Sequence, residues 1–181
     1  FQKFGLDYDI TFRQSDRKTR YQEISNKIGI KESDGSISIE LYDKETIYKM
    51  TIMRNDGNFL YNFTSVLDDY DYDITHIIRG VDHISNGDKQ KQIWDMINKV
   101  SPVQKEFPVL QHASLLFDGP TKKKLSKRSG NGTIADYQAY LPEAILNWLV
   151  KLGWSHPDAN FDQKYPTLTK QQMIDIFNEG H

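Results

Sequence analysis

The sequence contains no cysteine and no apolar run that approaches membrane-spanning length. It also lacks any strong charge imbalance, since 23 Lys and Arg stand against 25 Asp and Glu for a formal net charge of −2. Without cysteine there is no disulfide and no thiol nucleophile, an absence that fits a reducing compartment. With charge close to balance the chain is not a wholesale polyanion binder, and any contact with RNA must come from local basic patches. The opening Phe1-Gln2-Lys3-Phe4-Gly5 has no initiating Met and no charged-then-apolar leader pattern; it reads as the last turn of a helix closed by Gly5. That predicts a chain cut from something longer. At 181 residues, 38% hydrophobic and 27% charged, the composition is that of an ordinary globular protein, long enough to bury the core of one domain or one domain plus part of a neighbour.

What is present predicts a mixed α/β chain. Asp16 to Lys27 is polar with Tyr21 and Ile24 on one stripe, a surface helix. Ser33-Asp34-Gly35 marks a turn, and Ile37, Ile39 and Leu41 alternate with Ser38 and Glu40 as a half-buried strand. Tyr48 to Ile52 reads as a second strand, Asn55 to Asn58 as a turn, and the bulky, β-favouring stretch from Phe59 to Leu67 as a third, buried strand. Ile74 to Ile78 reads as a short buried strand and Asp88 to Lys99 as a helix. Pro142 at a first helical position, apolar Ile145, Leu149 and Leu152, and Gly153 at the far end describe an amphipathic helix. Thr169-Lys170-Gln171-Gln172 is a capping box that opens a last helix.

Two charged clusters need weighing. Asp68-Asp69-Tyr70-Asp71-Tyr72-Asp73 could gather a hard cation, but it lacks the Gly and Glu spacing of a calcium loop, so a solvated acidic turn between two strands is the simpler reading. His76 and His83 are not a ligand pair either, because a turn at Arg79-Gly80 would break the helix needed to align them; no metal follows. Lys122 to Gly130 packs five cations into seven positions and then turns to Ser, Gly and Asn. Charge alone makes this a solvated basic loop or a phosphate-binding loop, since crowded cations gain most when they meet a polyanion.

The order of its residues decides between them. Lys124-Leu125-Ser126-Lys127-Arg128 resembles the Lys-Met-Ser-Lys-Ser signature loop of class I aminoacyl-tRNA synthetases, in the spelling typical of bacterial and organellar glutamyl-tRNA synthetases. Ile74 to Gly80 with Asp82-His83 resembles the segment closing that family's amino-acid pocket. Leu141 to Leu149 with Leu152-Gly153-Trp154-Ser155 resembles the helix and turn after the loop, and Phe12-Arg13-Gln14-Ser15-Asp16-Arg17 resembles its Tyr-Arg-Gln-Ser-Glu-Arg element. The resemblance covers most of the chain and is loose from Ile28 to Met50.

It implies an α/β fold: part of a class I synthetase nucleotide-binding (Rossmann-like) core followed by the start of an α-helical stem-contact region. Residues 1–27 would end the first half of the core, 28–50 would be a remnant of the acceptor-binding insertion, 51–120 the second half, 121–133 the signature loop and 134–181 the start of the stem-contact fold. The implied activity is that of a glutamate–tRNA ligase: ATP, carrying Mg2+, activates L-glutamate to glutamyl-adenylate, which is transferred to tRNA(Glu). Tyr61 and Arg79 would bind glutamate, Arg79 through its planar two-donor fork. His112, Leu116, Lys124, Lys127 and Arg128 would bind ATP, Leu116 against the base. Lys124, Ser126 and Lys127 would be catalytic, with Lys127 stabilising charge on the α-phosphate and departing pyrophosphate. The cysteine-free sequence excludes the cysteine zinc knuckle that some members carry.

Three departures accompany the likeness. Val81 replaces an acidic residue after Arg-Gly, Ser85-Asn86-Gly87-Asp88 replaces a helix-opening Thr-Pro, and the His-Ile-Gly-His signature is absent. The partners expected are therefore the missing N- and C-terminal portions of the same synthetase, besides tRNA(Glu), with no membrane and a cytoplasmic or organellar-matrix location; the chain by itself would activate glutamate negligibly. The alternative is a degenerate synthetase-like module that binds RNA or a protein without catalysis.

Overall fold

Phe63, Val66, Leu67 and Tyr70 recur at the three- and four-residue spacing of a helix, and in the computed structural model they form the buried face of α2 (Tyr61–Asp71). The structure describes residues 10–125, 133–153 and 167–178. The chain divides into two compact units, 1–112 and 113–181.

In the first unit α1 (Ile10–Ile28) leads into an antiparallel meander of β1 (Ile30–Lys31), β2 (Ile37–Asp43) and β3 (Thr46–Met53). Gly29 joins helix to sheet where no side chain fits: a Cβ there would lie 2.2 Å from Ile37 Cγ2 and 2.6 Å from the Ser25 carbonyl. The β2–β3 register sets Ile39 against Met50 and Leu41 against Tyr48, with an irregularity at Ile37/Ser38. Ile37, Ile39 and Leu41 are buried, as the alternation requires, and they share a core with Ile24, Ile52, Phe63, Leu67, Ile93, Trp94 and Ile97. The expected turn at Ser33 to Gly35 is present with Gly35 in the left-handed region at φ 87°. At the far end of β2 the Gln92 side chain bonds the Tyr42 backbone twice, accepting from its N–H (2.7 Å) and donating to its carbonyl (2.8 Å).

The stretch from Phe59 to Leu67, expected as a strand, is a helix from Tyr61 onward. Its aromatic and β-branched residues favour a strand one at a time, but their spacing puts a continuous apolar stripe on one helical face, and packing against α3 (Ile84–Val100) rewards that stripe. The acidic cluster is likewise not a turn between strands. Asp68 and Asp71, one helical turn apart, face α1, where Arg17 bonds both and Arg20 bonds Asp71 (3.2 Å). Tyr21 completes this lattice by donating its hydroxyl proton to Asp68 (2.8 Å), and the Arg17 guanidinium lies over the Tyr21 ring at 5.1 Å. β4 (His76–Gly80) begins two residues later than expected and is not buried, with Ile78 69% exposed, because it belongs to a two-stranded sheet with β5 (Val109–Ala113). The loop between α3 and β5 is fixed by side chains: Trp94 and Asn98 both donate to the Lys105 carbonyl (2.9 Å each).

In the second unit a 3-10 turn (Ile134–Tyr137) precedes α4 (Pro142–Gly153) and α5 (Lys170–Asn178). Pro142 opens α4 as its sequence predicts. The capping box of α5 is formed in both directions, Thr169 N–H to Gln172 (2.8 Å) and Gln172 N–H to Thr169 (3.2 Å). Asn147 holds the chain entering α5 by exchanging two bonds with the Leu168 backbone, at 2.6 and 2.9 Å. No helix among the described residues is long and apolar enough to cross a membrane.

Burial alone would raise the Asp71 carboxyl, but the bonds from Arg20 and Arg17 win, and its ionisation falls below the ordinary carboxylate range. A depressed carboxyl stabilises the fold above its unfolded value, about pH 4, and that stabilisation is lost as pH falls through the lower folded value. Asp71→Asn should therefore cost about 1–3 kcal/mol at pH 7, and the gap from the parent protein should narrow below about pH 4 in pH-resolved thermal melts. A gap that stayed constant down to pH 2 would remove this role.

Candidate functional site

The side chains singled out by the sequence fall in two places, one in each unit. The first lies at the far end of β4. The Thr75 carbonyl accepts from the Val109 N–H (2.9 Å) where both strands begin, and Arg79 reaches His112 near where both end, so β4 and β5 run in the same direction with α3 as their crossover. Crevices beyond the carboxyl ends of such strands are where open α/β sheets bind ligands, and Arg79 stands at that end.

Arg79 is held by two neutral partners. Its Nε–H donates to His112 Nε2 (3.3 Å) and its Nη1 donates to Gln90 Oε1 (2.5 Å). The bond to His112 needs a lone pair on Nε2, so the ring is neutral with its proton on Nδ1 while the bond exists. Nη2 is buried and has no hydrogen-bond partner among the described residues. The first turn of α3 passes close by: a Cβ on Gly87 would sit 3.8 Å from Nη2. Gln90 is only 4% exposed and donates its amide to Ser65 (3.2 Å) and to Asn62 (3.4 Å) on α2. Asp69 is an acid that feels the Arg79 charge. Burial, then the charge of Asp68, pushes the Asp69 carboxyl above its ordinary range, and Arg79 works in the opposite direction.

Tyr61 is the first residue of α2 and not part of a strand as expected; it is 54% exposed, with its ring 5.8 Å from that of His83. His83 in turn contacts the Asn86 amide (3.2 Å). Tyr61 and Arg79 are thus linked through α2: Asn62 and Ser65, in the first turns of that helix, hold the amide that holds Arg79. Gln90, Asn62 and Ser65 were not expected from the sequence. The signal was there, since Gln90 starts a helical stripe whose other members, Ile93, Trp94 and Ile97, are buried and apolar.

The second place is a hairpin spanning residues 116–125. Phe117 and Lys124 form an antiparallel bridge, the Leu125 N–H donates to the Leu116 carbonyl (2.9 Å) and the Asp118 N–H to the Lys123 carbonyl (2.9 Å). The Asp118 carboxylate ties the tip by accepting from the Thr121 hydroxyl (2.5 Å) and N–H (3.0 Å), which together hold it below the ordinary carboxylate range. Lys124 therefore lies on the second arm, directly opposite Phe117. Leu116, on the first arm, helps line a groove of 330 Å³ with Leu115, Trp148, Leu149 and Leu152. Ser126, Lys127 and Arg128 lie outside the described residues, as do Trp154 and Ser155. No group of three His, Asp or Glu among the described residues could hold a metal, so no side chain here is assigned to magnesium.

The family of tRNA synthetases class I (E and Q), catalytic domain, matches residues 34–180. The chain is 37% identical to a glutamate–tRNA ligase of Rhodopseudomonas palustris (strain HaA2) over 94% of its own length and 36% of that protein. It is 41% identical to glutamate–tRNA ligase 1 of Acidithiobacillus ferrooxidans over 71% of its own length and 25% of that protein. The chain thus spans roughly a quarter to a third of the curated relatives it matches. Among solved structures, the glutamate–tRNA synthetase of Elizabethkingia anophelis aligns over 77% of this chain and 33% of its own at a TM-score of 0.52 and 22% identity, a likeness of fold. A glutamate tRNA ligase of Elizabethkingia meningosepticum, solved in complex with its amino acid, aligns equally well over 77% of this chain and 32% of its own.

The hairpin tip gives a local test. Asp118→Ala removes both bonds to Thr121, and the Asp118 and Leu125 amides should then exchange with solvent about tenfold faster, with little change in the melting temperature of the protein. Unchanged exchange would mean that the tip is set by its backbone bonds alone.

Proposed function

The chain belongs to the class I tRNA synthetases of the E and Q type, and on that footing we propose that it forms part of the catalytic core of a glutamate–tRNA ligase. In this reading the complete gene product activates L-glutamate with ATP and passes the glutamyl group to tRNA(Glu). The observation that carries the proposal is the Arg79 guanidinium at the end of β4, fixed by two neutral side chains and left with a buried Nη2 that has no hydrogen-bond partner among the described residues. A cation so placed gains most from a carboxylate, which its planar fork can bond twice.

Glutamate has two carboxylates, and only one reacts. An oxygen of the α-carboxylate must stay free to attack the α-phosphorus of ATP, so Arg79 takes the side-chain carboxylate and thereby selects the amino acid. Tyr61, exposed at the start of α2, offers its hydroxyl to the same substrate. Attack forms the acyl-phosphate bond of glutamyl-adenylate and breaks the bond to pyrophosphate, which leaves. A ribose hydroxyl at the tRNA terminus then attacks the acyl carbon and AMP departs. The ATP enters with its Mg2+, and the chain contributes positive charge: Lys124 on the hairpin and Lys127 beyond it for the phosphates, with Ser126 and Arg128 shaping that segment, His112 near the nucleotide and Leu116 against the base. These groups act by electrostatics, as phosphoryl transfer requires little covalent chemistry of the protein.

Val81 favours a second reading. It follows Arg79-Gly80 in a 3-10 turn where the resembling family has an acidic residue, and a pocket without that acid suits a synthetase-like module that binds RNA or protein without catalysis.

Glutamate-dependent exchange of pyrophosphate into ATP by the complete gene product separates the two. Exchange is expected, and its absence would leave only the second reading. Arg79→Ala should raise the KM for glutamate by about 30-fold or more with little change in the KM for ATP, the cost of removing one member of a close charge pair. Lys127→Ala should lower the rate of adenylate formation roughly a hundredfold, comparable to losing one electrostatic donor to a transition state.

A further inference from the structure

A buried arginine is useful for binding an anion only if the protein does not neutralise it first. Around Arg79 the protein supplies a neutral amide and a neutral imidazole where a carboxylate would have given the stronger bond. The amide is not placed by chance. Gln90 sits on the buried face of α3, one turn before Ile93 and Trp94, a position where a polar side chain is tolerated only if its groups are paired. Both of its donors and one of its two lone pairs are directed: Oε1 accepts from Arg79, and Nε2 donates to Ser65 and Asn62. Those two acceptors fix which end of the amide faces the guanidinium. With the donor end held by α2, the acceptor end must point at Nη1, and Arg79 is thereby oriented with Nη2 unpaired among the described residues.

From this we infer that Gln90 is a positioning and specificity-determining residue: it aims Arg79 while leaving its charge unspent, so that the site prefers an anionic substrate side chain to its neutral amide counterpart. The inference rests on the reading of Arg79 as the glutamate-binding residue and extends it to what sets the preference for glutamate over glutamine. The atom that makes the difference is the nitrogen of the Gln90 amide. Replaced by oxygen, it would repel the Ser65 and Asn62 oxygens unless the Ser65 hydroxyl turned its proton and the Asn62 amide turned its nitrogen toward it, and the side chain would bring a carboxylate into direct contact with Arg79, whose charge Asp69 now feels without an ion pair.

The test uses the complete gene product and follows pyrophosphate exchange with glutamate and with glutamine as substrates. Gln90→Glu should raise the KM for glutamate about tenfold or more and lower the glutamate-over-glutamine preference in kcat/KM by a similar factor, while the KM for ATP stays within about twofold. Gln90→Met, close in size and without hydrogen bonds, should raise the KM for glutamate and leave that for ATP unchanged. Ser65→Ala, a milder change that keeps the fold should Gln90→Glu not fold, should raise the glutamate KM about threefold by freeing the amide to turn. Unchanged glutamate KM and unchanged preference across these variants would overturn the inference, as would an equal rise in both KM values accompanied by a fall in melting temperature. If the parent protein shows no exchange at all, the glutamate reading itself fails; if it is active and sensitive to Arg79→Ala but indifferent to Gln90, only the present inference fails.

Discussion

A side-chain amide inside an apolar helix face must find its hydrogen bonds within the protein, and at Gln90 that requirement fixes the relation of α2, α3 and β4. The amide has one end for α2 and one for the strand, and no solvent to substitute for either. The apolar remainder of the same helix, Ile93, Trp94 and Ile97, packs into the core that also takes Phe63, Leu67 and the inner face of β2. Hydrophobic burial thus supplies most of the stabilisation of the first unit, while the directional bonds choose one arrangement of its elements. The orientation of Arg79 follows from that arrangement, and the proposed preference for a carboxylate rests on it.

A second, independent constraint joins α1 to α2. Arg17, Arg20 and Tyr21 on one helix meet Asp68 and Asp71 on the other, and the pairs are half-buried, where screening is weaker than at an open surface. Two arginines share one carboxylate at Asp71, so each bond supports the geometry of the next. The same acidic run that looks like a loose surface feature in the sequence is a clamp on the helix that carries Tyr61, Asn62 and Ser65.

The legible parts of the sequence were those with a strict local code. The Thr169 capping box, the Pro142 start of α4, the turn at Gly35 and the buried Ile37, Ile39 and Leu41 of β2 all appear where the residues predict them, whereas Ser38, expected on the outer face of β2, is buried as well. Also as predicted is the mixed α/β synthetase fold, which the order of motifs around Arg79, Lys124 and Leu141 carried over most of the chain. The failures share a cause. From Phe59 onward residue preference favours a strand, whereas the period of Phe63, Val66, Leu67 and Tyr70 is the better guide, and preference yields to period when an apolar face can be buried. A strand ending at Leu67 leaves Asp68, Asp69 and Asp71 looking like a loop, whereas they belong to the last turns of α2. Gln90 escaped notice because a polar residue matters through what touches it, and its partners lie 25 and 28 residues away.

The two bonds between Gln92 and the Tyr42 backbone have a consequence of another kind. β1 pairs only with the first two residues of β2, so beyond Ser38 the outer edge of β2 carries backbone donors and acceptors with no neighbouring strand among the described residues. Tyr42 is 59% exposed, and an open, aromatic-bearing edge is a template for the strand of another molecule. By filling the N–H and the carbonyl of Tyr42 from α3, Gln92 takes the place of the strand that is missing and closes that edge to intermolecular pairing. Two glutamines on α3, two positions apart, thus face different tasks: Gln90 is aimed at Arg79, and Gln92 occupies the edge of β2 at Tyr42.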